Sequence, residues 1–229
     1  MVLKLYTSQH PGGGSAVVAT LLAAKKIPFE VVLIDTAAGE QKTPEFLKIH
    51  PFGQVPVLDD AGFILHETRA ICRYIERKYS ENKLRLAPAE HQVQNQALFD
   101  QAVSVEAFDF FPPVYKVVNE TLLNMAHGIP TNQVIVDKGL EQLSTCLDVY
   151  EGILGRQKYT AGDKLTLVDL YHLAYAPVMV RFGIEIMSSE ARPNVARWWK
   201  ELVSFPAWAA LQKAGKISSI LEYGAEDVA

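Results

Sequence analysis

The first eighty residues switch repeatedly between two apolar periods, and beyond residue 90 only one of them persists. That change constrains the fold more than any other feature of this 229-residue chain. "VLKLYT" (Val2 to Thr7) reads as a strand, and between Ser15 and Lys26 the residues Val17, Thr20, Leu21 and Ala24 share one helical face. "PFEVVLI" (Pro28 to Ile34) is continuous and β-branched, the pattern of a buried parallel strand. Thr43 is placed to cap a short helix over Pro44 to Ile49 whose first residue is proline. "VPVL" and "FILHE" flank Asp59-Asp60-Ala61-Gly62 as the strands of a hairpin would, and "TRAICRYIERKY" (Thr68 to Tyr79) is helical. The order βαβαββα predicts a small mixed sheet with helices on its faces.

Downstream the strand signal nearly vanishes. Ser80 to Glu90 ("SENKLRLAPAE") is polar and proline-bearing, as a linker is. Val136, Leu140, Leu143, Leu147, Tyr150 and Leu154 repeat at spacings of three and four, marking a long amphipathic helix. Thr166-x-x-Asp169 has the form of a capping box opening "LTLVDLYHLAYAPVM", a helix that Pro177 should kink or end. "ARPNVARWWKELVSF" and "PAWAALQKAG" add two helices, and "EYGAEDVA" reads as a loose acidic tail. The expected organisation is an α/β domain over residues 1–82, a linker over 83–91 and an all-helical domain over 92–229.

Composition removes several classes of function. A net charge of −4 supplies no basic face for nucleic acid. No apolar run approaches the ~18 residues that a membrane span needs. No basic stretch followed by an apolar one opens the chain, and the two cysteines, Cys72 and Cys146, lack metal spacing, so the cytoplasm is the expected location. His10, His50 and His66 are too widely spaced for a metal motif, and no metal is expected.

Three short stretches could carry chemistry. In "HPFGQVPVL" (His50 to Leu58), Pro56 cannot donate to a ladder. A cis Val55–Pro56 bond would turn the Val55 N–H and C=O outward as a peptide-binding edge, whereas a trans proline opening an edge strand is the simpler reading. In "HETRAI" (His66 to Ile71), Glu67 and Thr68 sit where a strand hands over to a helix with free N–H groups. That junction suits a ligand carboxylate and ammonium, and equally suits a plain helix cap. "SQHPGGGSAVVA" (Ser8 to Ala19) suggests a phosphate loop, but it has no Walker lysine, and Val17 stands where the dinucleotide fingerprint needs its third glycine. Phe108, Phe110, Phe111 and Tyr115 cluster around Pro112-Pro113, either as core or as the wall of an apolar pocket.

Taken in order, "GEQKTPEFLKIHPFGQVPVL", "ETRAICRYI", "EAFDFFPPVYK", "YTAGDKLTLVDLYHL" and "RPNVARWWKELVSFPAW" resemble the cytosolic glutathione transferases, and the phi class most of all. The resemblance runs from Lys4 to Trp208. It implies a thioredoxin-like N-terminal domain that binds glutathione, an all-α C-terminal bundle that supplies an apolar acceptor site, a cis bond at Pro56 and a homodimer. Glutathione is then the co-substrate, with no further cofactor. Residue by residue, the Val55 backbone beside Pro56 would pair with the cysteinyl backbone, and Glu67 and Thr68 would take the γ-glutamyl end. Gln54 would assist at the γ-glutamyl or the cysteinyl portion, and Gln41 with Lys42 would reach the glycyl carboxylate. Phe52 would pack into the partner subunit, and Phe111, Tyr115 and Tyr175 are candidates for the acceptor wall.

The departure lies in the glycine stretch. Phi-class members place a thiolate-stabilising serine just before the first helix, and alignment puts Gly12 or Gly13 there. Ser15 is the first candidate to replace it, with Ser8 in reserve and the backbone N–H groups of Gly13 and Gly14 as a third possibility. The implied activity is detoxifying conjugation of the glutathione thiolate to apolar electrophiles, with peroxide reduction as a side activity. The alternative is a ligandin that stores aromatic compounds without turnover.

Overall fold

Leu3, Leu5 and Thr7 are buried while Lys4 is exposed, so the first strand alternates about a covered face. The computed structural model describes residues 2–220, and the expected acidic tail lies outside them. Strand β1 (Leu3–Thr7) lies at the centre of a four-stranded sheet of order β2-β1-β3-β4. It pairs in parallel with β2 (Phe29–Leu33) and antiparallel with β3 (Val57–Asp60). The hairpin partner β4 (Phe63–His66) sets Val57 opposite His66 across a turn at Ala61-Gly62. The periodicity of the first eighty residues thus becomes a mixed thioredoxin-like sheet.

Helix α1 (Gly13–Ala24) is buried continuously from Ser15 to Ala23, as a helix apolar on all sides must be. It packs against the amphipathic α3 (Thr68–Lys78), which buries Ile71, Cys72 and Ile75 and turns Arg77 and Lys78 outward. Each such aliphatic side chain contributes about 1.5–3 kcal/mol on burial. Helix α2 (Pro44–Leu47) is short and capped as expected, the Phe46 N–H donating to Thr43 Oγ1 at 3.3 Å. Phe46, Ile34 and Val57 form a small cluster with Val55 and Ile49 against it, which anchors the segment between α2 and β3.

The remaining helices are α4 (Val93–Val105), α5 (Phe111–Val118), α6 (Asn124–Ala126), α7 (Gln133–Leu154), α8 (Leu167–Tyr171), α9 (Ala176–Met179), α10 (Pro193–Val203) and α11 (Pro206–Ala214). From α4 to α6 the helical path is unbroken, passing through π-helical turns at Glu106–Phe110 and Asn119–Leu123. Pro112 and Pro113 cannot donate to the preceding turn, and the first π turn lies directly before them. The Asp169 carboxylate accepts from the Thr166 N–H at 2.8 Å, Thr160 N–H at 3.0 Å and Trp198 Nε1 at 3.0 Å, completing the capping box. Pro177 does not end this helix. Helix α8 already stops at Tyr171, where the bonds tighten to Leu173 N–H on Leu170 O, and Pro177 instead begins α9, where its missing N–H costs nothing.

The chain divides into two compact units, one holding the residues up to Arg85 and those from Ser204 onward, the other Leu86–Val203. Helix α11, placed by sequence in the helical domain, packs on α1 in the first unit.

Candidate active site

Thr7 ends β1 fully buried, and its Oγ1 donates to the Ser8 carbonyl at 2.8 Å. The chain then runs to Gly12, which is extended, and to Gly13, whose φ of +68° is open to glycine at little cost. Helix α1 starts there with no side-chain cap and no acidic residue in its first turn. Its leading N–H groups and the positive end of its dipole are therefore left to an outside anion.

Gly14 brings that terminus against two other segments. A Cβ on Gly14 would stand 2.0 Å from Thr68 Oγ1 and 3.3 Å from Pro56 Cδ. Pro56 follows a cis Val55–Pro56 bond, so the simpler trans reading is overturned and the cis bond implied by the resemblance is present. Val55 lies just outside β3, and among the described residues neither its N–H nor its C=O takes part in a backbone hydrogen bond. This leaves a short edge available to an extended peptide.

Glu67 joins β4 to α3 at φ +72°, ψ 114°, a region that non-glycine residues rarely occupy. Its carboxylate is exposed and receives no hydrogen bond from the described residues. Thr68 opens α3 beside it. Gln54 is exposed, Lys42 Nζ donates to the Phe52 carbonyl at 2.8 Å, and Gln41 Nε2 donates to the Thr36 carbonyl at 3.2 Å. Gln41 Oε1 is buried without a partner among the described residues. Between these corners the rings of His50 and His66 lie 4.5 Å apart. His50 is held below its ordinary pKa of 6.5, by burial first and by His66 second. Sequence spacing had set the histidines aside, since residues sixteen apart in the chain show no pairing until β3 and β4 fold.

The candidate serines are placed differently. Ser15 is only 3% exposed on the first turn of α1, whereas Ser8 is half-buried in the loop before it. In the helical unit, Phe111, Tyr115 and Tyr175 meet as one aromatic group, with centroid separations of 5.6, 5.8 and 5.5 Å. Phe110, by contrast, is core, 2% exposed and stacked on Tyr150, while Phe108 is 79% exposed. Both cysteines are free and buried, and burial pushes the Cys146 thiol up to about 12 and the Cys72 thiol higher still, which keeps them unreactive. Among the described residues no three His, Cys, Asp or Glu side chains gather as metal ligands, and no helix is long and apolar enough to cross a membrane.

Residues 1–77 match the family model "Glutathione S-transferase, N-terminal domain", and residues 110–206 match "Glutathione S-transferase, C-terminal domain". Glutathione S-transferase hmp2 of Hypomyces subiculosus is 36% identical over 209 residues, 91% of this chain and 96% of that protein. The chain belongs to the glutathione S-transferase family. Glutathione transferase F7 of Populus trichocarpa, a phi-class relative, superposes on this transferase with a TM-score of 0.86 at 34% identity, covering 93% of this chain and 98% of that one. Glutathione S-transferase I from maize, solved in complex with an atrazine glutathione conjugate, has a TM-score of 0.80 at 34% identity, covering 97% and 99%.

Proposed function

We propose that this transferase conjugates the glutathione thiolate to apolar electrophiles, and that the free N–H groups opening α1, at Gly13, Gly14 and the Ser15 backbone, activate the thiol. One observation carries the reading. The uncapped start of α1 is held against Pro56 and Thr68, beside an unpaired Val55 edge and a free Glu67 carboxylate. An extended tripeptide with an ammonium at one end and a thiol in its middle matches that set: Val55 pairs with the cysteinyl backbone, Glu67 takes the ammonium, and Thr68 with Gln54 takes the γ-glutamyl carboxylate. Gln41 and Lys42 are the partners proposed for the glycyl carboxylate. A thiol at a helix N-terminus falls from about 8.5 toward neutrality, which raises the reactive thiolate fraction at pH 7.

In this proposal the Ser15 hydroxyl, on a residue only 3% exposed, is the second candidate, and Ser8 stays the reserve donor. The aromatic group of Phe111, Tyr115 and Tyr175 is proposed to receive the acceptor, a class that the maize structure's atrazine conjugate illustrates for that protein. Phe52, 67% exposed, is the ring proposed to enter a partner subunit in a homodimer.

Titrating the thiolate absorbance of bound glutathione tests the mechanism. Wild type, Ser15→Ala and Ser8→Ala should all show a depressed thiol pKa and turn over an aryl halide. Loss of the depression in Ser15→Ala alone would return the role to that hydroxyl. An undepressed thiol with tight binding of aromatic ligands would leave a ligandin, and turnover of organic peroxides alone would replace conjugation by reduction.

A further inference from the structure

The loop that presents the start of α1 has almost no hydrogen bonds to its own neighbourhood. Apart from the Thr7 hydroxyl on the Ser8 carbonyl, every hydrogen bond to residues 8–11 among the described residues comes from the far end of the chain. Gln212 Nε2 donates to the Pro11 carbonyl at 2.6 Å. The Ile217 N–H donates to the Gln9 carbonyl at 3.4 Å, and the Ser218 hydroxyl donates to Gln9 Oε1 at 3.3 Å. The donors themselves are anchored: Trp208, Leu211, Ile217 and Ile220 are at most 2% exposed, and α11 packs along α1.

Pro11 precedes three glycines, the residues with the most backbone freedom to lose. Gly12 and Gly13 adopt two very different backbone conformations in succession, and neither has a side chain to lock the turn. The direction of the first α1 N–H groups therefore depends on where the Pro11 carbonyl is held. We propose that Gln212 is a positioning residue for the glutathione thiol: by fixing the Pro11 carbonyl, it aims the N–H groups of Gly13 and Gly14 at the sulfur. This role rests on the function proposed above. It places a determinant of thiol activation 201 residues from the loop it controls.

Gln212→Met keeps the side-chain bulk and removes the donor, while Gln212→Lys keeps a donor of similar reach. Hydrogen exchange of the peptide spanning Ser8 to Ser15, measured on the free protein, should quicken about tenfold in Gln212→Met. The pKa of bound glutathione should rise by about one unit, carrying the acidic limb of the kcat/KM pH profile with it. Glutathione affinity should change by less than about threefold, because Val55, Glu67 and Thr68 are untouched. Gln212→Lys should restore both exchange and pH profile. Unchanged exchange in Gln212→Met overturns the positioning role, and so does faster exchange with a wild-type thiol pKa. Failure of the wild-type protein to bind glutathione overturns the function reading itself, and this role with it.

Discussion

A Cβ built on Gly14 would lie 2.0 Å from the Oγ1 of Thr68, so the first turns of α1 and α3 approach closer than any side chain allows. Gly14→Ala must drive Thr68 off its rotamer or push α1 from α3, a cost of about 1–3 kcal/mol. Glutathione affinity should fall with it, because both helix starts move. Calorimetric titration and thermal unfolding of Gly14→Ala check this, and the double variant Gly14→Ala/Thr68→Ala should regain stability without regaining affinity.

Glu67 separates stability from function. Its φ of +72° is strained for any residue with a Cβ, so Glu67→Gly should stabilise the fold by about 1 kcal/mol in urea unfolding. The same substitution removes the one carboxylate proposed for the γ-glutamyl ammonium, and glutathione affinity should drop by tenfold or more, about 1.4 kcal/mol. A variant that is more stable and still binds at wild-type strength would remove Glu67 from the site.

Lys25 ties the end of α1 to α3 and to the chain leaving it. Its Nζ lies 2.8 Å from Glu76 Oε2 with both side chains buried, and donates to the Leu84 carbonyl at 2.7 Å. Lys25→Met takes the lysine partner from a buried carboxylate and should cost about 3 kcal/mol in equilibrium unfolding. A loss below about 1 kcal/mol would mean that desolvation cancels the attraction in this pair.

His50 makes stability pH-dependent. Besides burial, His66 and Lys42 disfavour its charge, while Glu67 and a hydrogen bond with its own backbone favour it. The net effect lowers its pKa in the folded protein, so between that value and 6.5 the unfolded chain binds more protons. Its contribution is present above pH 6.5 and is lost as pH falls through the folded pKa. The melting temperature should decline on acidification below 6.5, and His50→Asn should flatten the slope.

Much of the architecture is local and was legible on that account. The caps at Thr43 and at Thr166 with Asp169 depend on residues three positions apart, and the strand and helix periods of the first eighty residues lie within single elements. The failures are equally specific. Pro177 signalled a helix end, but whether a proline ends one helix or opens the next depends on where the preceding turn tightens, here at Tyr171. The aromatic cluster around Pro112 was ambiguous because one helix carries Phe108, Phe110 and Phe111 to different faces. Packing alone decides that Phe110 is core and that Phe111 joins Tyr115 and Tyr175.

By itself the sequence determined the order and type of the elements and the residues from which a glutathione site could be made. Tertiary structure decided how they serve it. The meeting of Gly14 with Thr68 and the grip of Gln212 on Pro11 join segments distant in the chain. Local preference there is weak, glycine being nearly indifferent to the sign of φ, so long-range packing makes the choice.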